Sequence, residues 1–207
     1  MNYNPRNVTT VVFDWGGVFC NPAEPFASVA LQTALCMNPD EIAEDARDIY
    51  DDHYRGVYTT EEFWQKILEH FKLDGVGALA PSELSKAYIG SYGVYPEMLE
   101  IAGRLRGKYS VALISNLSPV MRDHIKIAHK TEGYFNPEVY SCDPDIRAIK
   151  PDEEIFRTFL RIAQKSPKEC LFVDDSQKNL DAATILGFQT LLFIGLKQFI
   201  RDIAPLL

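Results

Sequence analysis

Short apolar runs alternate with helical patterns through the second half of the chain, and several of the runs stop at a polar residue. Val111-Ala112-Leu113-Ile114 ends at Ser115, and Leu171-Phe172-Val173 ends at Asp174-Asp175. Near the start, Val11-Val12-Phe13 has the same character and ends at Asp14. Uninterrupted apolar runs of this length read as buried strands. Thr190-Leu191-Leu192-Phe193 supplies another, and Glu138-Val139-Tyr140 a short one. Helical patterns occupy 96–106, 119–129, 151–164 and 177–186, several opened by a proline in the first turn, with Gly187 expected as a left-handed cap on the last. Strand and helix in alternation predict an α/β fold, a doubly wound, Rossmann-like parallel sheet flanked by helices.

Residues 22–92 break that rhythm. They show no convincing strand, only helical patterns at 25–36, 39–50, 60–71 and 81–92, separated by turns at Asn38-Pro39 and Leu73-Asp74-Gly75. Thr59-Thr60-Glu61-Glu62 ahead of Phe63, Trp64, Ile67 and Leu68 has the capping acids and spacing of an amphipathic helix start. The expected organisation is an α/β core of residues 1–21 and 93–207 with a helical cap of residues 22–92 inserted after the first strand. No internal repeat or low-complexity segment is visible.

At 207 residues and 46% apolar content the chain can bury one full core and carry a modest insertion. Cys20, Cys36, Cys142 and Cys170 have no paired spacing, which suggests neither a zinc site nor a disulfide framework and fits a reducing, cytoplasmic setting. No basic segment followed by an apolar one opens the sequence, and no apolar stretch approaches the roughly 20 residues that span a bilayer. A net charge of −8 without any Lys/Arg run argues against nucleic-acid or acidic-membrane partners. It leaves small anionic substrates open, because a phosphate monoester needs only local donors and a cation. The amphipathic patterns serve core and interface alike and fix no oligomeric state.

The acids at the strand ends are the candidate chemistry. A carboxylate at the rim of a sheet is costly unless a cation or hydrogen-bond donors compensate it. Asp175-Ser176 alone could be a helix cap, but capping needs one acid rather than the pair Asp174-Asp175. Asp14 is followed by Trp15-Gly16-Gly17-Val18, where adjacent glycines let the backbone turn sharply and present polar groups to an ion or phosphate. In open α/β sheets ligands bind outside the carboxyl ends of the strands, so Asp14, Ser115, Asp174 and Asp175 would share one crevice, roofed by the helical insertion. Ser115-Asn116 can equally be an ordinary polar turn, and Trp15 can line the pocket or pack beneath it. His70, His124 and His129 have no ligand spacing.

Four segments in this order resemble the haloacid dehalogenase superfamily of hydrolases: Phe13-Asp14-Trp15-Gly16-Gly17-Val18, Ile114-Ser115-Asn116, Ile149-Lys150-Pro151-Asp152, and Val173-Asp174-Asp175-Ser176 with Asn179. The resemblance spans nearly the whole chain, including the insertion, which is similar to the small helical cap of that superfamily. It implies that Asp14 is a nucleophile forming an aspartyl phosphate, and that Ser115 and the amide of Asn116 hold the phosphoryl oxygens. It also implies that Asp14, Asp175 and the backbone carbonyl of Gly16 bind Mg²⁺, with Asp174 acting as a further ligand or through a metal-bound water. Lys150 stands just before a helix start, where a cation opposes the macrodipole; facing phosphate and Asp14 explains its position better than facing solvent. Asn179 can reach back to orient a carboxylate or lie on the surface.

The chain departs from the superfamily at Gly16, where most of its phosphatases carry an aspartate that protonates the leaving oxygen. Such assistance is worth about 10² to 10⁴ in rate. His53, Tyr54 and Arg55 of the insertion are candidate substitutes. The expected activity is magnesium-dependent hydrolysis of a small phosphorylated metabolite, a sugar phosphate being one possibility. A phosphate-binding protein silenced by Gly16, and a metal-independent dehalogenase, are the alternatives; Asp174-Asp175 count against the second.

Overall fold

Five strands form one parallel sheet: β1 (Thr10–Phe13), β2 (Ser110–Ser115), β3 (Glu138–Tyr140), β4 (Cys170–Asp174) and β5 (Gln189–Leu192), in the order β3-β2-β1-β4-β5. The computed structural model describes residues 3–21, 25–73, 79–131 and 133–207. After β1 come α1 (Val29–Leu35), α2 (Pro39–Asp45), α3 (Arg47–Tyr54), α4 (Thr60–His70), α5 (Pro81–Gly90) and α6 (Pro96–Leu105). The later strands alternate with α7 (Pro119–His129), α8 (Glu153–Ala163), α9 (Gln177–Ile185) and α10 (Leu196–Ile203). This is the doubly wound α/β class that the alternation predicts.

The period of two in each strand sends successive side chains to opposite faces. Val11, Phe13, Val111, Leu113, Leu171 and Val173 join one buried cluster with Met98 and Leu105 of α6, Met121 of α7 and Phe199 of α10. Val12, Ala112, Ile114 and Phe172 join a second, with Ile155, Phe156 and Phe159 of α8 and Leu180 of α9. Both faces are therefore dry, which is why these strands read as continuous apolar runs. Each large side chain so buried stabilises the fold by about 1.5–3 kcal/mol. Helix α9 ends as its sequence predicts, with the amides of Gly187 (φ +93°) and Phe188 bonded to the carbonyls of Thr184 and Ala183.

Between β1 and β2 the described residues α1 to α5 contain no strand. Thr59 and Glu62 form the expected capping box on α4, and Phe63, Trp64, Ile67 and Leu68 are its buried stripe. The ring of Phe26 packs against Tyr50, Phe63 and Trp64. Three expectations are corrected: α1 begins at Val29 rather than 25, α5 ends at Gly90 rather than 92, and the pattern at 39–50 divides. Residues 39–50 are two helices, broken at buried Ala46 (φ −97°, ψ 25°), and the second runs on to Tyr54. No proline or glycine marks the break, so tertiary packing rather than local propensity makes it. Asp74 and Gly75 of the turn expected after Leu73, and the boundary at residue 22, fall on residues outside those described. No described helix is long and apolar enough to cross a membrane.

Four contacts join these helices to the edge of the sheet. Ser141 Oγ donates to the Tyr54 carbonyl at 2.6 Å, Ser118 Oγ to the Tyr88 hydroxyl at 3.2 Å, and Trp15 Nε1 to the Tyr92 hydroxyl at 3.1 Å. Arg55 pairs with Asp152 at 3.6 Å across the same gap. His53 lies inside the helical layer, 1% exposed, its ring stacked on Phe63 at 4.1 Å.

Burial pushes the His53 imidazole down to about 4. A folded-state value below the unfolded one means that the unfolded chain binds the extra proton, so stability is lost as pH falls from about 6.5 towards about 4. His53→Phe should remove roughly 3 kcal/mol of that acid sensitivity. Thermal unfolding of both proteins between pH 7 and pH 4 checks this. Parallel melting curves would show that His53 is not the titrating group.

Candidate functional site

The carboxyl ends of β1, β2 and β4 lie side by side in the sheet, and the residues at those ends converge. Asp14 follows β1 and is 7% exposed. Its Oδ1 accepts hydrogen bonds from its neighbour's amide, Trp15 N, at 2.7 Å and from Ser115 Oγ at 2.8 Å, and stands 2.8 Å from Lys150 Nζ. All three donors end on one oxygen, and among the described residues no hydrogen bond ends on Oδ2.

Lys150 is not on the surface. Its side chain is 1% exposed, and Nζ lies between Asp14 Oδ1 and Asp174 Oδ2, at 2.8 and 2.7 Å. Its backbone is clamped by the Asn116 side chain, whose Nδ2 donates to the Lys150 carbonyl at 3.0 Å and whose Oδ1 accepts from the Lys150 amide at 2.8 Å. Helix α8 begins at Glu153, later than the expected 151, so the 150–152 segment is free to turn the lysine inward.

Asp174 is fully buried. Its Oδ1 accepts from Ser176 N at 2.8 Å, and Asn179 Nδ2 lies 3.1 Å from both of its oxygens. Asn179 therefore orients Asp174 rather than Asp175. Asp175 is exposed, and one carboxylate oxygen from each of Asp14, Asp174 and Asp175 lies within 4.8 Å of the others, a spacing compatible with one shared cation. Gly17, at φ +73°, makes this possible: a Cβ there would sit 1.9 Å from Asp175 Oδ2. At Gly16, by contrast, a Cβ would meet no heavy atom within 4 Å.

Three carboxylates share one ammonium. Burial pushes the Asp14 carboxyl up to about 7, against the pull of Lys150. Partial burial and the charge of Asp174 raise Asp175. Burial would lower Lys150, yet Asp14 and Asp174 together hold it above its ordinary value. The centre thus carries more negative charge than its own lysine neutralises, and free oxygens on Asp14 and Asp175 face that imbalance. Hard, oxygen-preferring divalent cations suit such a donor set.

Above these groups is a cavity of about 260 Å³. Trp15, Gly16, Asn116 and Asp175 form part of its wall, and Tyr50, Tyr54, Tyr88 and Tyr92 much of the rest. Of the three donors expected from the insertion, Tyr54 reaches this wall, while His53 is buried and Arg55 faces Asp152. Trp15 both lines the cavity and packs on Phe19, with ring centroids 5.1 Å apart. Tyr50, Tyr88 and Tyr92 and the bracing hydroxyls of Ser118 and Ser141 were not among the expected site residues. The one signal for them is a repeated spacing, Tyr50/Tyr54 and Tyr88/Tyr92 being each four residues apart; the first pair lies on one side of α3, while Tyr92 stands just past the end of α5.

Fold and site together define an α/β protein of hydrolase type, with a lysine-centred acidic crevice at the carboxyl edge of its sheet. The chain belongs to the haloacid dehalogenase-like (HAD-like) hydrolases, whose family profile matches residues 8–187. In three dimensions it is similar to a HAD family enzyme of Bacteroides thetaiotaomicron, at 24% identity and TM-score 0.80, covering 94% of this chain and 98% of that one. The wild-type form of that enzyme in complex with magnesium and inorganic phosphate superposes with TM-score 0.74 at 24% identity, covering 89% and 93%. A protein of Porphyromonas gingivalis described as a predicted HAD-like family hydrolase matches at 23% identity and TM-score 0.78, covering 96% and 97%. No curated protein matches the chain by sequence.

Replacing Gly17 by alanine should drive Asp175 off its position and cost at least about 1 kcal/mol from the positive φ alone. Thermal unfolding and a Mg²⁺ titration of Gly17→Ala read the two effects. Wild-type stability together with wild-type titration would mean that the close approach of Asp175 is dispensable.

Proposed function

We propose that the protein is a magnesium-dependent phosphomonoesterase acting on a small phosphorylated metabolite, a sugar phosphate among the candidates, with residues 22–92 as a cap over an α/β core. The observation that carries the reading is the pairing of Asp14 and Asp174 with buried Lys150, with a carboxylate oxygen of Asp175 within 4.8 Å of theirs. The magnesium and phosphate bound by the Bacteroides enzyme of the same fold support it.

In this reading Asp14 Oδ2 attacks phosphorus, the bond to the leaving oxygen breaks, and an aspartyl phosphate forms. Ser115 and the Asn116 amide bind phosphoryl oxygens, and Lys150 neutralises charge that builds on them. Water then attacks phosphorus, Asp14 is released as carboxylate, and inorganic phosphate departs. Asp14, Asp175 and the Gly16 carbonyl would hold Mg²⁺, whose charge screens carboxylate and phosphoryl oxygens from each other. Both Asp174 oxygens already accept hydrogen bonds, which favours a role through Lys150 and a metal-bound water over direct ligation. No side chain at Gly16 supplies the proton to the leaving oxygen, so leaving groups that depart as stable anions are favoured.

Hydrolysis of 4-nitrophenyl phosphate with Mg²⁺ should be measurable and abolished in Asp14→Asn. Turnover surviving in that variant ends the proposal. Substrate binding without turnover in the wild type would identify a phosphate-binding protein instead. Gly16→Asp has open space for its side chain and should raise kcat on alkyl phosphates by about 10² to 10⁴. An unchanged or lower kcat, with the fold intact, would show that the proton comes from elsewhere.

A further inference from the structure

Resting on the phosphomonoesterase reading, the cavity narrows the substrate class. Its wall is aromatic on several sides, with Trp15 from the sheet edge and Tyr50, Tyr54, Tyr88 and Tyr92 from the helices above. Among the described residues lining it, Asp175 is the single charged one. A second phosphate or a carboxylate on the substrate would be stripped of water there with no cation to receive it and an acid close by. The phenol groups are also largely committed. Tyr54 and Tyr88 hydroxyls lie 2.9 Å apart, Ser118 donates to Tyr88, and Trp15 donates to Tyr92. Burial raises the pKa of both Tyr54 and Tyr88, so they stay neutral.

Size points the same way. A cavity of about 150 Å³ accommodates benzene. The 260 Å³ here accommodates one such ring with a phosphoryl group beside it. Because Gly16 contributes no side chain to this wall, the leaving oxygen meets space rather than an acid, which suits an aryl oxide that departs without protonation.

We infer that this aromatic, cation-free cavity selects phosphate monoesters whose leaving group is a single uncharged ring, aryl monophosphates above all, and rejects substrates bearing a second anionic group. A flat ring can pack against the half-buried rings of Tyr50, Tyr54 and Tyr92, which line the cavity. Sugars would need free hydrogen-bonding groups that the paired hydroxyls here do not offer.

The test uses matched leaving groups so that intrinsic reactivity cancels. With Mg²⁺, kcat/KM for phenyl phosphate should exceed that for 4-carboxyphenyl phosphate by about tenfold or more. Benzyl phosphate should likewise exceed glucose 6-phosphate, since both are alkyl esters and differ in the ring. Acetyl phosphate, too small to use the cavity, reports on the hydrolase chemistry alone. Turnover of acetyl phosphate without discrimination among the ring substrates, or with the sugar preferred, overturns the inference and leaves the hydrolase reading standing. Binding to the Asp14→Asn protein, measured by calorimetry with phenylphosphonate and 4-carboxyphenylphosphonate, gives the converse. Tighter binding of the uncharged ring without any turnover in the wild type supports the cavity assignment and sinks the hydrolase. Equal binding, or none, overturns the inference.

Discussion

The buried ammonium of Lys150 is the constraint around which the site is arranged. A charge with 1% of its side chain exposed persists only if the partners that replace its water are fixed in place. Asp14 and Asp174 do this at 2.8 and 2.7 Å, and each is held in turn, Asp14 by Ser115 and the Trp15 amide, Asp174 by Asn179 and the Ser176 amide. Asn116 fixes the lysine's own backbone from the end of a third strand. Removing one member of such a set leaves an uncompensated buried charge, which typically costs about 3–5 kcal/mol. Sheet closure and site geometry are therefore the same event: β1, β2, β4 and the segment before α8 cannot shift independently without exposing or orphaning an ion.

That arrangement also explains why the centre is unbalanced. Two acids suffice to hold the lysine, and a third, Asp175, stands at the open side, where burial and its neighbour raise its carboxyl. An acid placed there gives the fold no stability by itself. Its cost is recovered when a cation or another positive group arrives, which is the ordinary logic of a preorganised metal centre. In the proposed cap arrangement the helices above would deepen the effect, since a roof that excludes water lowers the local dielectric and strengthens each charge interaction beneath it.

The sheet was legible because burial on both faces makes Val11-Val12-Phe13 of β1 and Cys170-Leu171-Phe172-Val173 of β4 continuous apolar runs. The polar groups at the strand ends were legible for the same reason, each being the first residue the apolar run cannot absorb. The break at Ala46 was hidden because nothing local causes it; the turn follows from packing that joins residues far apart. His53 looked available as a donor because sequence does not reveal that its ring stacks on Phe63. The tyrosines were invisible as a group since tyrosines on a helix read as core, and only the third dimension sets Tyr50 and Tyr54 of α3, Tyr88 of α5 and Tyr92 beyond it around one cavity. Asn179 had reach towards either acid, and the choice of Asp174 depends on which carboxylate turns inward.

The two glycines after Asp14 show how different constraints can share one motif. Gly17 has a structural reason: its positive φ and the carboxylate of Asp175 leave no place for a Cβ. Gly16 has neither, since its φ is not left-handed and the space beside it is open. Folding therefore does not require glycine at 16, and the explanation must lie in what a side chain would do in the cavity it lines. An aspartate there would bring a further negative charge into a centre already short of positive charge and, in the proposed phosphomonoesterase, would occupy room beside the leaving group. Where the leaving oxygen is stable as an anion, the proton such an acid supplies has little value, and space becomes the more useful contribution.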